Sequence, residues 1–181
     1  MSTTISTQDY TALLNDVRER IRGAQLQALR SVNRELIGLY WDVGRMIVER
    51  QETEGWGRSV VERLAQDLQA ELPGVQGFSV SSLWYMRKLY LAYRDKQVLQ
   101  PLAGDIAWTH NQVILDRCED DQEREFYLRM TRRMGWTRRA LIQQIESQTY
   151  EKTLLSQTNF AETVSAPIRS RAQLAIKDSY T

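Results

Sequence analysis

Cysteine and histidine are nearly absent: Cys118 and His110 stand alone in a chain of 181 residues. One cysteine excludes an internal disulfide and any multi-cysteine metal site. One histidine makes a zinc centre or a Ser-His-Asp triad hard to assemble. Glycine-rich phosphate loops and acid–lysine pairs are missing too. Neither a metal nor a cofactor is therefore expected, and the chain is expected not to be an enzyme. No apolar run approaches the roughly 18 residues of a membrane span. The N-terminus, MSTTISTQDY, is polar and uncharged up to Asp9, unlike a signal peptide, so a cytoplasmic protein is expected.

An excess of either charge is also lacking. There are 24 Lys and Arg against 23 Asp and Glu, a formal net charge of +1. A global basic footprint is excluded; local ones are not. Arg129, Arg132, Arg133, Arg138, Arg139 and Lys152 face only Glu146 and Glu151 in their stretch, whereas residues 116–125 are mainly acidic. Lysine is scarce among the cations. Arginine suits bidentate contact with phosphate, and it serves surface ion pairs equally well.

Proline is sparse, with three in the chain, and what remains is helical periodicity. Residues 1–9 read as a disordered arm. From Tyr10 apolar residues recur in steps of three and four: Leu13, Leu14, Val17, Ile21, Ala24, Ala28, Val32, Leu36, Leu39, Val43 and Ile47. One long helix over 10–54, or two joined near Ser31–Asn33, fits this pattern. A single helix would be about 60 Å long and would need cover, which a homodimer through this arm supplies. Glu35, Asp42 and Glu49 lie among Arg34, Arg45 and Arg50 at helical spacing, a surface of ion pairs rather than acid catalysts.

Residues 58–93 read as two helices around a bend at Pro73-Gly74 and Gly77, with Ser79 as the second helix's N-cap. In that second helix Leu83, Met86, Tyr90 and Tyr93 are placed inward. Ser81, Tyr85, Lys88 and Ala92 face out, and Trp84 and Arg87 lie on a flank. Small hydroxyls followed by an aromatic and cations suit a recognition helix at a duplex. A plain helical hairpin satisfies the same spacing.

Pro101 and Gly104 mark a loop. Thr109 is placed as the N-cap of a helix through Arg117, with His110 a packed or capping residue at its first position. Residues 109–152 carry the C-terminal helices, with Phe126, Tyr127, Met130, Met134, Leu141, Ile142 and Ile145 inward. Residues 153–181 read as a linker or tail.

Several strings together carry a resemblance: NRELIGLYWDVGRMIVE, FSVSSLWYMRKLYLAY, WTHNQVILDRCEDDQEREFYLRMTRRMGW, LIQQIESQTYEK and NFAETV. The chain resembles the N-terminal domain of YhcG-type bacterial proteins. Leu83-Trp84-Tyr85-Met86-Arg87 and Trp108-Thr109-His110 are its more specific marks. The resemblance implies a DNA-binding unit, winged-helix-like or helix-turn-helix, placed ahead of a nuclease of the PD-(D/E)xK superfamily. The match ends at Lys177-Asp178-Ser179-Tyr180-Thr181, where the family runs on into the nuclease. Such a nuclease needs an (Asp/Glu)-x-Lys pair to hold Mg²⁺. Here Lys88, Lys96, Lys152 and Lys177 follow Met86, Arg94, Tyr150 and Ala175 at that spacing.

The expected protein is all-α: a long N-terminal helical arm plus a compact helical domain containing a helix-turn-helix-like unit. Its expected role is non-catalytic binding of nucleic acid, duplex DNA above all, through Ser81, Ser82, Tyr85, Arg87 and Lys88, supported by Arg132, Arg133, Arg138 and Arg139. The alternative is a dimerisation or protein-interaction module that touches no nucleic acid.

Overall fold

The computed structural model describes residues 7–163, and the fold is all-α. Eight helices lie among these residues and no strand: α1 (Thr7–Glu54), α2 (Arg58–Glu71), α3 (Val80–Tyr93), α4 (Leu99–Gly104), α5 (Trp108–Arg117), α6 (Asp121–Met134), α7 (Arg138–Glu146) and α8 (Thr149–Thr163). Residues 1–6 and 164–181, read from the sequence as parts of an arm and a tail, lie outside the described residues. Thr7 to Asp9, assigned to the arm, instead open α1.

α1 is one continuous helix of 48 residues with no hairpin at Ser31–Asn33. Proline is absent from it, and i,i+4 pairs such as Arg50–Glu54 at 2.7 Å support its surface. Its two halves differ in cover. From Ile37 to Val48 one face is sunk into the body through Ile37, Tyr40, Ile47 and Val48. Before Arg34 nearly every described side chain is exposed, including Tyr10, Leu13, Val17, Ile21, Leu29 and Val32.

α3 lies across the buried half of α1. Gly44 meets the Met86 carbonyl at the crossing, where a Cβ would collide with the oxygen. The backbones therefore touch, and only glycine permits that approach. Leu83, Met86, Leu89 and Tyr93 are completely buried from α3, each contributing about 1.5–3 kcal/mol through burial. Leu89 fills a core position that the sequence reading did not assign. Tyr90, placed inward, is half-buried and stacks edge-on against Trp41 at 5.0 Å. Ser79 caps α3 as expected, its hydroxyl accepting from the Ser82 amide at 3.2 Å. Gly77, before it, has φ of +103° and lies against the Tyr40 hydroxyl, so a side chain there would be both strained and crowded.

Three boundaries differ from the sequence reading. The Pro101–Gly104 loop is the short helix α4, in which Pro101 occupies the first turn, where its missing N–H costs no hydrogen bond. α5 starts at Trp108 with Ala107 as its cap, so Thr109 does not cap and His110 is the third residue rather than the first. The helix expected through Lys152 breaks at Gln148, whose φ is +54°. α8 then continues through Thr163, across residues read as the start of the linker. Met134, placed inward, is exposed at the end of α6.

The C-terminal helices are joined by polar pins. Asn111, fully buried, donates to the carbonyls of Ala103 at 2.9 Å and Ala107 at 3.3 Å, tying α4 to α5. The Tyr127 hydroxyl donates to the Gln144 carbonyl and accepts from the Tyr150 amide, each at 3.3 Å, spanning the break between α7 and α8. Asp105, 8% exposed, receives Arg34 at 2.7 Å and Arg132 at 3.0 Å, which fastens α1 and α6 to the end of α4.

Candidate nucleic-acid interface

The face of α3 opposite Met86 is open. Ser81 and Lys88 are exposed and Tyr85 is half-buried, its hydroxyl turned towards Asp116 of α5. With Arg58, Val80, Trp84 and Asp116 they line a shallow groove of about 560 Å³. The helical period places these α3 residues together, 3 and 4 apart. Tyr85 is further fixed edge-on to Trp108 at 6.5 Å.

Both central residues already hold a partner. Tyr85 donates its hydroxyl to one oxygen of Asp116 on α5, and Lys88 Nζ lies 2.7 Å from the other oxygen of that carboxylate. The hydrogen bond from Tyr85 to Asp116, then burial and the Asp116 charge, raise the phenol's pKa, while Arg138 pulls it down. For Asp116, burial alone would raise the carboxyl. The hydrogen bonds from Lys88 and Tyr85 and the charges of Lys88 and Arg117 outweigh it, and its pKa falls below the ordinary carboxylate value.

The other sequence-derived candidates divide. Ser82 belongs to the α3 cap, its hydroxyl 3.0 Å from that of Ser79. Arg87 lies on the flank facing α1, where Nε donates to Gln51 at 2.6 Å and the guanidinium stacks on Trp84 at 5.5 Å. Arg132 is tied to buried Asp105, which gives it a structural task. Arg133 is exposed in the last turn of α6, and Arg138 and Arg139 are exposed in the first turn of α7. Sequence reasoning missed Arg58 and Asp116 as groove residues. Asp116 stands 28 and 31 positions from its two partners, so no local periodicity reveals it.

His110 Nε2 donates to the Trp136 carbonyl at 2.8 Å, while Nδ1 is buried and unpartnered among the described residues. Burial, with help from Arg138, lowers its pKa against the opposing effect of the Trp136 bond. The imidazole is thus a neutral pin between α5 and the start of α7. Among the described residues no group of three or more His, Cys, Asp or Glu is placed to hold a metal ion. No helix among them is long and apolar enough to cross a membrane.

Two sequence expectations concern the motif itself. No strand lies among the described residues, so the wing of a winged helix is not found there. Residues 72–79 separate α2 from α3, a longer link than the three- or four-residue turn of a helix-turn-helix.

These features define an all-α domain built on one long helix, with a polar and aromatic groove along its third. The chain belongs to the DUF1016 N-terminal domain family, whose pattern matches residues 16–152. It is also similar to the protein named "Putative nuclease YhcG" of Escherichia coli (strain K12), with 26% identity over 210 aligned positions. That alignment covers 97% of this chain and 56% of the relative, so the chain spans little more than half the relative's length. No solved structure matches the chain.

Proposed function

We propose that the chain is a non-catalytic nucleic-acid-binding module that directs a nuclease, with duplex DNA as its target. The observation that carries this reading is the open face of α3: Ser81, Tyr85 and Lys88 line one groove with Arg58. Cations around an aromatic floor suit a phosphate backbone, with the hydroxyls left to reach base edges. Asp116 holds Tyr85 and Lys88, and a phosphate oxygen offers the same acceptor chemistry to both. Binding on this reading is an exchange of one anion for another. The link to a nuclease rests on the name of the relative and on the family resemblance.

Fluorescence anisotropy on labelled duplex and single-stranded DNA tests this. The expected result is binding that weakens steeply with salt, as counterion release requires. Lys88→Ala should reduce affinity and lower the salt slope by about 1. Its effect on stability should stay within the roughly 1 kcal/mol of an exposed ion pair. Absence of binding to either DNA at low salt would overturn the reading.

A further inference from the structure

The uncovered half of α1 continues an apolar stripe, interrupted by Glu35, on the solvent side of the covered half. Leu39 and Met46, on the side away from the buried face, are about half exposed, as are Val17 and Ile21, and Val32 is 64% exposed. The steps from Val17 through Ile21, Ala28, Val32 and Leu39 to Met46 keep the stripe on one side of a straight helix. On it lies a shallow concavity of about 530 Å³ formed by Ser31, Val32, Glu35, Leu36 and Leu39. Val32, Glu35, Leu36 and Leu39 stand at i, i+3, i+4 and i+7. That is the four-residue hole into which a side chain of a second helix inserts.

We infer that this stripe is filled by α1 of a second copy, running antiparallel about a twofold axis at Ala28. Two observations choose this occupant. The stripe is self-complementary about Ala28: Val17 falls opposite Leu39, Ala24 opposite Val32, and Tyr10 opposite Met46. Ile21 falls opposite Glu35 and so enters the hole around it. The charges choose the direction. Arg18, Arg20 and Arg22 have no ion-pair partner among the described residues, and neither has Glu35. A parallel pair would crowd both sets of arginines at one level. The antiparallel pair brings Arg20 of each copy beside Glu35 of the other, on the same flank of the stripe. Steric access agrees, since the body packs on the side of α1 away from the stripe. The overlap from Tyr10 to Met46 is about 54 Å long. The pairing is independent of the α3 groove, so it stands or falls apart from nucleic-acid binding.

Light scattering on the 181-residue chain should give twice its 21.1 kDa mass. Val32→Glu should return it to the monomer mass with helical circular dichroism unchanged, since Val32 is 64% exposed and outside the buried core. Direction is read by disulfide trapping, with buried Cys118 left in place. Under mild oxidation Ala28→Cys should link to itself. Val17→Cys should not, but should link to Leu39→Cys when the two are mixed. A monomer at all concentrations, as expected if another segment or protein covers the stripe, overturns the inference. So does self-linking of Val17→Cys, or a dimer that Val32→Glu leaves intact.

Discussion

Gly44 of α1 lies directly against the carbonyl of Met86 in α3, so the two central helices meet backbone to backbone. Alanine favours a helix over glycine by roughly 1 kcal/mol. Here its methyl group would be driven into a peptide carbonyl, which cannot rotate away. Gly44→Ala is expected to destabilise the protein by about 1–3 kcal/mol net, the usual cost of overpacking. Gly23, also within α1, has no atom within 4 Å of its would-be Cβ. Gly23→Ala should stabilise by about 0.5–1 kcal/mol. Paired urea melts would show the opposite signs; equal signs would mean that α1 and α3 do not cross as described.

Asp105 is the buried acid shared by two arginines from distant elements. Either arginine alone leaves the carboxylate one partner. Removing both strands a buried charge, which typically costs 3–5 kcal/mol. Arg34→Ala with Arg132→Ala should therefore be more destabilising than the sum of the single variants. A double-mutant cycle measures this coupling, and simple additivity would show that the two arginines do not share the task of compensating Asp105.

Asp116 competes with phosphate for Lys88 and Tyr85. Asp116→Asn removes a negative charge from the groove and frees the ammonium group. DNA affinity should rise several-fold at low salt, the reverse of the Lys88→Ala effect, and the gain should shrink as salt screens the groove. A fall in affinity would show that the acid holds the groove in its binding shape rather than occupying it.

His110 links stability to pH. Its folded-state pKa lies below the ordinary value near 6.5 because burial disfavours the imidazolium. The contribution to stability is present above the unfolded pKa and is lost as pH falls towards the folded one. The melting temperature should thus drop on acidification from about pH 7 to 5, beyond the effect of the carboxylates. His110→Gln should flatten that window. An unchanged profile in the variant would assign the acid sensitivity to Asp116 and its neighbours instead.

What could be read without coordinates was whatever repeats locally. The steps of three and four along α1, the Ser79 cap and the Pro73–Gly77 bend each depend on residues within a turn or two. Breaks were harder. Pro101 and Gly104 look like loop residues, yet a first-turn proline costs a helix nothing, and Leu99, Leu102 and Ala103 bury α4 against the body. Gln148 interrupts α7 and α8 without glycine or proline to announce it. The groove was half legible. Its α3 residues share one face by periodicity, whereas Asp116 and Arg58 arrive from other helices. Arg132 read as a phosphate contact because Asp105, 27 residues earlier, gives no local sign of claiming it.

α1 passes from solvent into the core with no joint along its length. Mechanically it is a cantilever: the span after Ile37 is clamped by α3, and the span before Arg34 projects freely. Whatever grips the projecting end sets the bearing of the α3 groove as well. Torque applied near Tyr10 is carried through Gly44 to Met86, and so to the helix that bears Tyr85 and Lys88.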